Sequence, residues 1–365
     1  MIHGRELSDK SFQLNSLDGL RGFAVLIVFL SHTSSNGFGL FPFIDFSGAG
    51  KSGVFLFFVL SSFLLTLPFL KKGDAAINKE FLLNYSFRRF FRVYPLYILY
   101  LLLAFVTSVT LWKIFKLAQP VGIPFTLSFK EFLEHLALIQ GKGVTWSILV
   151  EFRYYFILPV LALTYSVILK NKIIPSILLT LVLIISSQMI WPESESLKND
   201  SRLGPYLPIF FIGSFLAVVF HKWNESSLKN SKKMLYGLEF LGLVAIFILL
   251  FMIPSVSSIF IEEVPYDYYH KQFIIHGLLW SIVIFSCIAG TGAVRTVFEI
   301  SFLRYLGFIS FSAYLLHVLA IIFVKQLNAG ELPMQGWLVF VITILISHVS
   351  WLTIEKPTSK IRLIK

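Results

Sequence analysis

Ten windows of about 20 mainly apolar residues run along the chain, near 17–35, 53–70, 93–112, 145–169, 173–191, 203–220, 236–253, 272–290, 306–325 and 336–355. That length is what an α-helix needs to cross the hydrocarbon core of a bilayer. Inside lipid a segment of this kind must satisfy its own backbone N–H and C=O groups, and a helix does so. The composition agrees. Hydrophobic residues make up 56% of the 365 and charged residues 14%, and Phe alone occurs 39 times. A soluble globule built from this chain has too little polar surface to cover itself. The expected architecture is an all-α polytopic transmembrane bundle of about 10 spans, one integral membrane domain over residues 1–365 with no appended soluble domain. The first window is the weakest, because its apolar core runs only from Gly22 to Leu30. Read as a signal peptide it would have Arg5 and Lys10 as basic flank. Asp18 and Arg21 abut the apolar run, however, and no small-residue cleavage site follows it. Cys287 is the single cysteine, which leaves no internal disulfide and no cysteine-based metal site.

The net charge of +11 sorts by side. With the N-terminus in the cytoplasm, the inside segments hold Arg5, Lys10, Arg21, Lys71, Lys72, Lys79, Arg88, Arg89, Arg92, Lys170, Lys172, Lys222, Lys229, Lys232, Lys233, Arg295, Arg304, Lys356, Lys360, Arg362 and Lys365. The outside segments hold Lys51, Lys113, Lys116, Lys130, Lys142, Lys198, Arg202 and Lys271. About 21 against 8 is the asymmetry of a positive-inside topology, with both termini cytoplasmic. Glu193, Glu195, Asp200, Glu262, Glu263, Asp267 and Glu331 all fall outside. Topology thus accounts for the basic balance, and a nucleic-acid partner has no support. The largest segments between spans are about 71–92, inside, and about 113–144, outside.

Ionisable side chains at membrane depth are costly and point to function. Here they are His32, Glu151, Arg153, His276, His317 and His348. Arg21 and His32 are eleven residues apart, so on a helix they share a face with His32 about 16 Å deeper. Asp18 lies on the same face but about 21 Å from His32, too far to orient it, so any partner of His32 comes from another span. Arg89 and Arg92 stand three apart and can grip a phosphate through paired N–H donors, or anchor the chain at lipid headgroups. Trp146 suits an outer-interface anchor. Glu151 lies deeper, with Ser147 and Tyr155 four residues to either side on its face. It suits a base, a proton relay, the orienter of a His, or a structural ion pair. Tyr314, His317 and Ser310 share a face, as do His348 and Glu355, the latter expected to pair with a loop arginine. His276 reads as structural. No P-loop or dinucleotide fingerprint is present.

Together these stretches resemble the membrane acyltransferase-3 family over nearly the whole chain and in order. The matching pieces are Leu17-Asp18-Gly19-Leu20-Arg21-Gly22 with His32, Gly53 to Ser61, Arg89-x-x-Arg92-x-Tyr94-Pro95, Trp146-Ser147-x-x-Val150-Glu151, Ile309-Ser310-x-Ser312-x-Tyr314-Leu315-x-His317 and Ile354-Glu355-Lys356-Pro357. The resemblance implies a ten-span bundle that carries acyl groups, usually acetyl, from cytoplasmic acyl-CoA to extracytoplasmic glycans. It implicates Arg21 with His32, and Arg89 with Arg92. Two departures stand out. Ser61 is followed by Ser62 where the family usually has Gly, and Phe152-Arg153 replaces commoner acidic or Gln residues.

The resulting expectation is an O-acyltransferase of a bacterial-type inner membrane. Acyl-CoA is the donor, acetyl-CoA as the resemblance implies, with no metal. Arg21, Arg89 and Arg92 hold its phosphates. His32 serves as general base or acyl carrier, with Glu151 orienting or deprotonating it. Trp146, Ser147, Tyr314 and His317 are candidates for acceptor binding. The partners are a cell-surface glycan or lipid-linked saccharide, membrane lipid and a further copy of the chain. The rival readings are a proton-coupled secondary transporter or flippase, and an acyltransferase for a small-molecule acceptor.

Overall fold

The computed structural model describes residues 15–110, 126–262, 264–290, 292–327 and 334–361. Arg5, Lys10, Lys113, Lys116, Glu263, Glu331, Arg362 and Lys365 of the charge tally lie outside them. Among the described residues the regular structure is helical throughout. The chain runs α1 (Asn15–Ser34), α2 (Gly50–Lys72), α3 (Lys79–Ser108), α4 (Phe129–Leu136), α5 (Thr145–Leu163), α6 (Ile173–Ile190) and α7 (Leu207–Glu225). It continues with α8 (Lys232–Phe251), α9 (Phe273–Ala289), α10 (Ala293–Phe298), α11 (Ser301–Phe308), α12 (Ser310–Gln326) and α13 (Gln335–Ser350). Each of the ten apolar windows coincides with a helix. By length and composition 7 of the described helices could cross a membrane, and 8 if the bent pair α11–α12 is one span. α9 is apolar but only 17 residues long. α1 stands outside that set, and its 20 residues include Asp18, Arg21 and His32.

Burial separates the helices into two classes. The apolar window of α2 is 78% buried and that of α7 83%, whereas those of α6 and α8 are 17% buried. α2 packs on α1, α5, α7 and α9, and α7 packs on α2, α6 and α9, while α6 and α8 are the least buried of these helices. The outer helices expose Ile174, Met189 and Phe247. Such apolar surface on a folded chain suits lipid, not water.

Two departures from the sequence windows matter for the site. The third helix begins at Lys79, well before the window at 93–112, and its 30 residues give a rod of about 45 Å. Arg88, Arg89 and Arg92 therefore sit on a continuous helix rather than in a loop. The window at 306–325 is not one straight span: α11 and α12 meet at 81° around Ile309. The stretch up to this bend packs closely against α1. A Cβ added to Gly19 would collide with the Phe298 carbonyl, one on Gly22 with the Leu303 carbonyl, and one on Gly307 with the Asp18 carbonyl. Only Gly lets the two backbones approach so closely, the small-residue logic of helix contacts in membranes.

The 113–144 segment, as far as it is described, carries α4. It opens with a capping box between Ser128 and Glu131. Tyr94 and Tyr97 of α3 donate to the carbonyls of Leu136 and His135 and hold α4 against α3. Hydrogen bonding to Lys142, then to Ser128, holds the Glu131 carboxyl down at about 2.

Two outcomes test this packing. Gly22→Val should destabilise the fold by about 3 kcal/mol or more, since both neighbours are backbone. Gly237→Ala, whose Cβ meets nothing within 4 Å, should be neutral or gain up to about 1 kcal/mol. Thermal unfolding in detergent reads both. Glu131 has a lowered folded-state pKa, so its stabilisation is complete above the ordinary carboxylate range and is lost as pH falls toward 2. The difference in melting temperature between wild type and Lys142→Gln should accordingly be constant above about pH 5 and shrink as pH falls toward 2.

Candidate functional site

Two cavities enter the bundle and share a wall. The narrower, about 90 Å³, is lined by Arg21 of α1, Ser61 of α2, Arg89 and Arg92 of α3, Ser147, Glu151 and Tyr155 of α5, and Ser310 and Tyr314 of α12. The wider, about 700 Å³, is lined by His32 of α1, Lys51 of α2, Trp146 of α5 and Tyr314 of α12, among others. Val54 and Tyr314 line both.

The narrow cavity is an arginine cluster. Arg21, Arg89 and Arg92 lie close enough to repel one another, with Asp18 and Glu151 as the opposing charges. Arg21 Nη1 is 3.4 Å from Asp18 Oδ1, one helical turn away. Arg89 Nε is buried without a hydrogen-bond partner among the described residues. Three guanidiniums, one with a vacant buried donor, form a site that fits a phosphate-bearing ligand. Glu151 accepts a 2.7 Å hydrogen bond from Tyr155, its neighbour four residues on. Tyr155 is itself packed by Tyr85, whose hydroxyl donates to its carbonyl at 3.2 Å.

His32 faces the wide cavity, and its partner is His317. His32 Nδ1 and His317 Nε2 are 2.6 Å apart, with the two rings nearly parallel at 7°. His317 Nδ1 lies 3.1 Å from the Ala313 carbonyl. That oxygen can only accept, so His317 carries its proton on Nδ1, and a neutral His317 offers a bare Nε2. The proton between the rings then belongs to His32 Nδ1. The Nε2 atom of His32 is left with a free lone pair. An interior backbone carbonyl, acting through one histidine, sets the tautomer of the other.

Tyr314 occupies the wall between the cavities. Its hydroxyl donates to the Val144 carbonyl at 2.9 Å and lies 2.6 Å from Ser147 Oγ. The ring stands 6.2 Å from that of His317, so one turn of α12 supplies both the wall and the relay.

Several expectations meet a different geometry. Glu151 does not reach His32: it belongs to the arginine cavity, and the partner from another span is a histidine. Trp146 is not an interfacial anchor. It is 4% exposed, packs on Phe58 and Tyr206, and carries the Lys51 ammonium 3.7 Å over its ring. Glu355 meets no loop arginine among the described residues. It accepts from Ser312, and Arg92 of α3 is the cation that acts on it. Arg153 donates to the carbonyls of Ser201, Leu138 and Ile139 and ties loops together. His276 pairs with the Gln272 carbonyl, and His348 with the Tyr305 hydroxyl. Ser62 faces α7, where Gly213 leaves room for its hydroxyl, while Ser61 lines the arginine cavity. Among the described residues no group of three His, Cys, Asp or Glu could hold a metal ion.

Sequence reasoning singled out both His32 and His317 without joining them, because pairing across 285 residues has no local signal. It also passed over Lys325, whose position at the end of a span left it unsorted by side.

Comparison with known proteins bears on this arrangement. A family described as an acyltransferase domain matches residues 14–352. A protein of Staphylococcus aureus (strain COL) named "Putative O-acetyltransferase" is 26% identical over 365 residues, covering 94% of this chain and 57% of that protein. One of Bacillus subtilis (strain 168) named "Putative peptidoglycan O-acetyltransferase" is 25% identical over 360 residues, covering 93% of this chain and 54% of that protein. The chain thus spans little more than half the length of these relatives. No solved structure matches. Because the family match covers nearly the whole chain, the protein belongs to the acyltransferase-3 family.

Proposed function

We propose that the protein is a multi-pass membrane O-acyltransferase that moves an acetyl group from cytoplasmic acetyl-CoA to a hydroxyl of an extracytoplasmic glycan. The reading draws on the family, on the names of the relatives and on the sorting of basic residues. The observation that carries it is the pairing of an arginine cavity with a histidine cavity across Tyr314. Ten spans with both termini inside would put the arginines on the donor side and His32 toward the acceptor.

In this mechanism Arg21, Arg89 and Arg92 hold the donor phosphates, and the narrow cavity admits the extended arm that leads to the thioester. His32 Nε2 takes the proton of the acceptor hydroxyl as its oxygen attacks the thioester carbon. The carbon–sulfur bond breaks, and the imidazolium returns its proton to the departing thiolate. His317 keeps Nδ1 of His32 protonated, so the lone pair stays on Nε2. It also stabilises the imidazolium by accepting that proton bond. The same lone pair could take the acetyl group itself, and rapid quenching with labelled donor would reveal labelled protein in that case. Glu151, held by the Tyr155 hydroxyl, offsets the crowded guanidiniums and not the histidine.

The test supplies labelled acetyl-CoA to inside-out vesicles and follows label into glycan. His32→Ala should lower transfer by about 10²–10⁴-fold with the fold intact. His317→Ala should cost less and alter the pH–rate profile, with His317→Gln, which restores an acceptor, recovering part of the rate. Arg89→Lys should raise KM for the donor with kcat nearly unchanged, since the ammonium cannot grip phosphate bidentately. Wild-type transfer by folded His32→Ala would overturn the role given to His32, and uptake of an unmodified solute without transfer would overturn the reading in favour of a transporter.

A further inference from the structure

The wide cavity carries a charge pattern that the transfer chemistry does not require. Lys51, Lys198 and Lys325 line it together, and no Asp or Glu does among the described residues. Each ammonium is held by a neutral group. Lys51 lies over Trp146, Lys198 donates to the Tyr266 hydroxyl, and Lys325 donates to Asn36 Oδ1 at 2.6 Å. The acid whose charge acts on Lys51 is Asp200, and Arg202 already engages it through Nε and Nη2 at 3.0 and 2.6 Å. The backbone adds to the same sign. α2 starts at this cavity, where Gly48, Gly50 and Lys51 line the wall. Ala49 gives it no side-chain cap, and its first turn holds no acid. Its positive dipole end therefore acts beside the three ammoniums. Like charges gathered in a concave site repel one another where the opposing Asp200 is already engaged by Arg202, and an anion relieves that repulsion. At about 700 Å³ the space is of the size that holds a small oligosaccharide.

We infer that the wide cavity selects an anionic saccharide, its carboxylate or phosphate held by Lys51, Lys198 and Lys325 while a neighbouring hydroxyl meets His32. The inference rests on the acyltransferase reading for the role of His32, but the anion site stands on its own lining. Tyr266, half exposed at the cavity, supplies a flat face on which a sugar ring packs.

Binding, measured apart from turnover, tests it. The protein in neutral phosphatidylcholine nanodiscs is titrated with a uronic-acid tetrasaccharide, its carboxyl-reduced neutral form and a phosphorylated tetrasaccharide. Anionic forms should bind about tenfold or more tighter than the neutral one. Raising salt from about 20 mM to about 500 mM should remove most of that preference, through screening. The carboxylate and phosphate arms tell which anion is favoured. K51Q/K198Q/K325Q should equalise the three ligands, and K51R/K198R/K325R should retain the preference. The salt series on wild type needs no variant, so misfolding of a variant leaves the test standing. Equal affinity for charged and neutral forms would overturn the inference, as would displacement of the saccharide by phosphatidylglycerol in the disc. If anion selectivity is seen but no acetyl transfer to any glycan, the cavity assignment survives and the acyltransferase reading fails.

Discussion

The backbone contact between α1 and the α10–α11 segment sets the geometry of everything around it. Gly19 and Gly22 on one side and Gly307 on the other let the chains approach to where any side chain would collide with a carbonyl. With α11 pressed against the start of α1, α12 departs at 81° and runs beside the deeper half of α1. That path brings His317 to His32 and Tyr314 to Ser147. A straight span over the same residues would not lie along α11's contact and α12's at once. Backbone approach, made possible by glycine, is thus upstream of the histidine pair.

The second constraint is electrostatic. Charges within a bilayer are tolerated where they face one another or a polar cavity. This chain gathers its cations in two places that differ in chemistry. Arginines crowd the narrow cavity, with Asp18 and Glu151 near them. Lysines line the wide one and rest on neutral groups. Guanidiniums present rigid forks suited to phosphate, whereas ammoniums act as mobile point charges. Between the two stands Tyr314, whose hydroxyl is engaged by Val144 and Ser147 and so has a defined position.

Much of the fold is legible in the sequence. Apolar runs of bilayer length specify helices because nothing else satisfies the backbone there, and each window indeed contains one. The positions of Arg21, Glu151 and Tyr155 on their helices follow from the turn alone, as the Tyr155–Glu151 hydrogen bond illustrates. What helical spacing cannot supply is the neighbour across the bundle. Glu151 was a reasonable companion for His32 on chemistry, yet the packing sends it to the arginines. Trp146 has the composition of an interfacial residue, but here its ring forms the floor beneath Lys51. The early start of α3 was hidden because its first turns are polar and basic, so hydropathy reads them as loop.

The sequence by itself determined that this is a helical membrane protein, where its apolar helices lie, and which ionisable groups interrupt the apolar runs. These follow from local rules: bilayer thickness, helical rise and the cost of buried charge. Only the tertiary structure decided that His32 answers to His317, that Glu151 belongs with Arg89, and that three lysines from distant segments share one cavity. Those outcomes depend on which helix faces meet, and that is settled by close packing at Gly19, Gly22 and Gly307, between residues almost 300 positions apart in the chain.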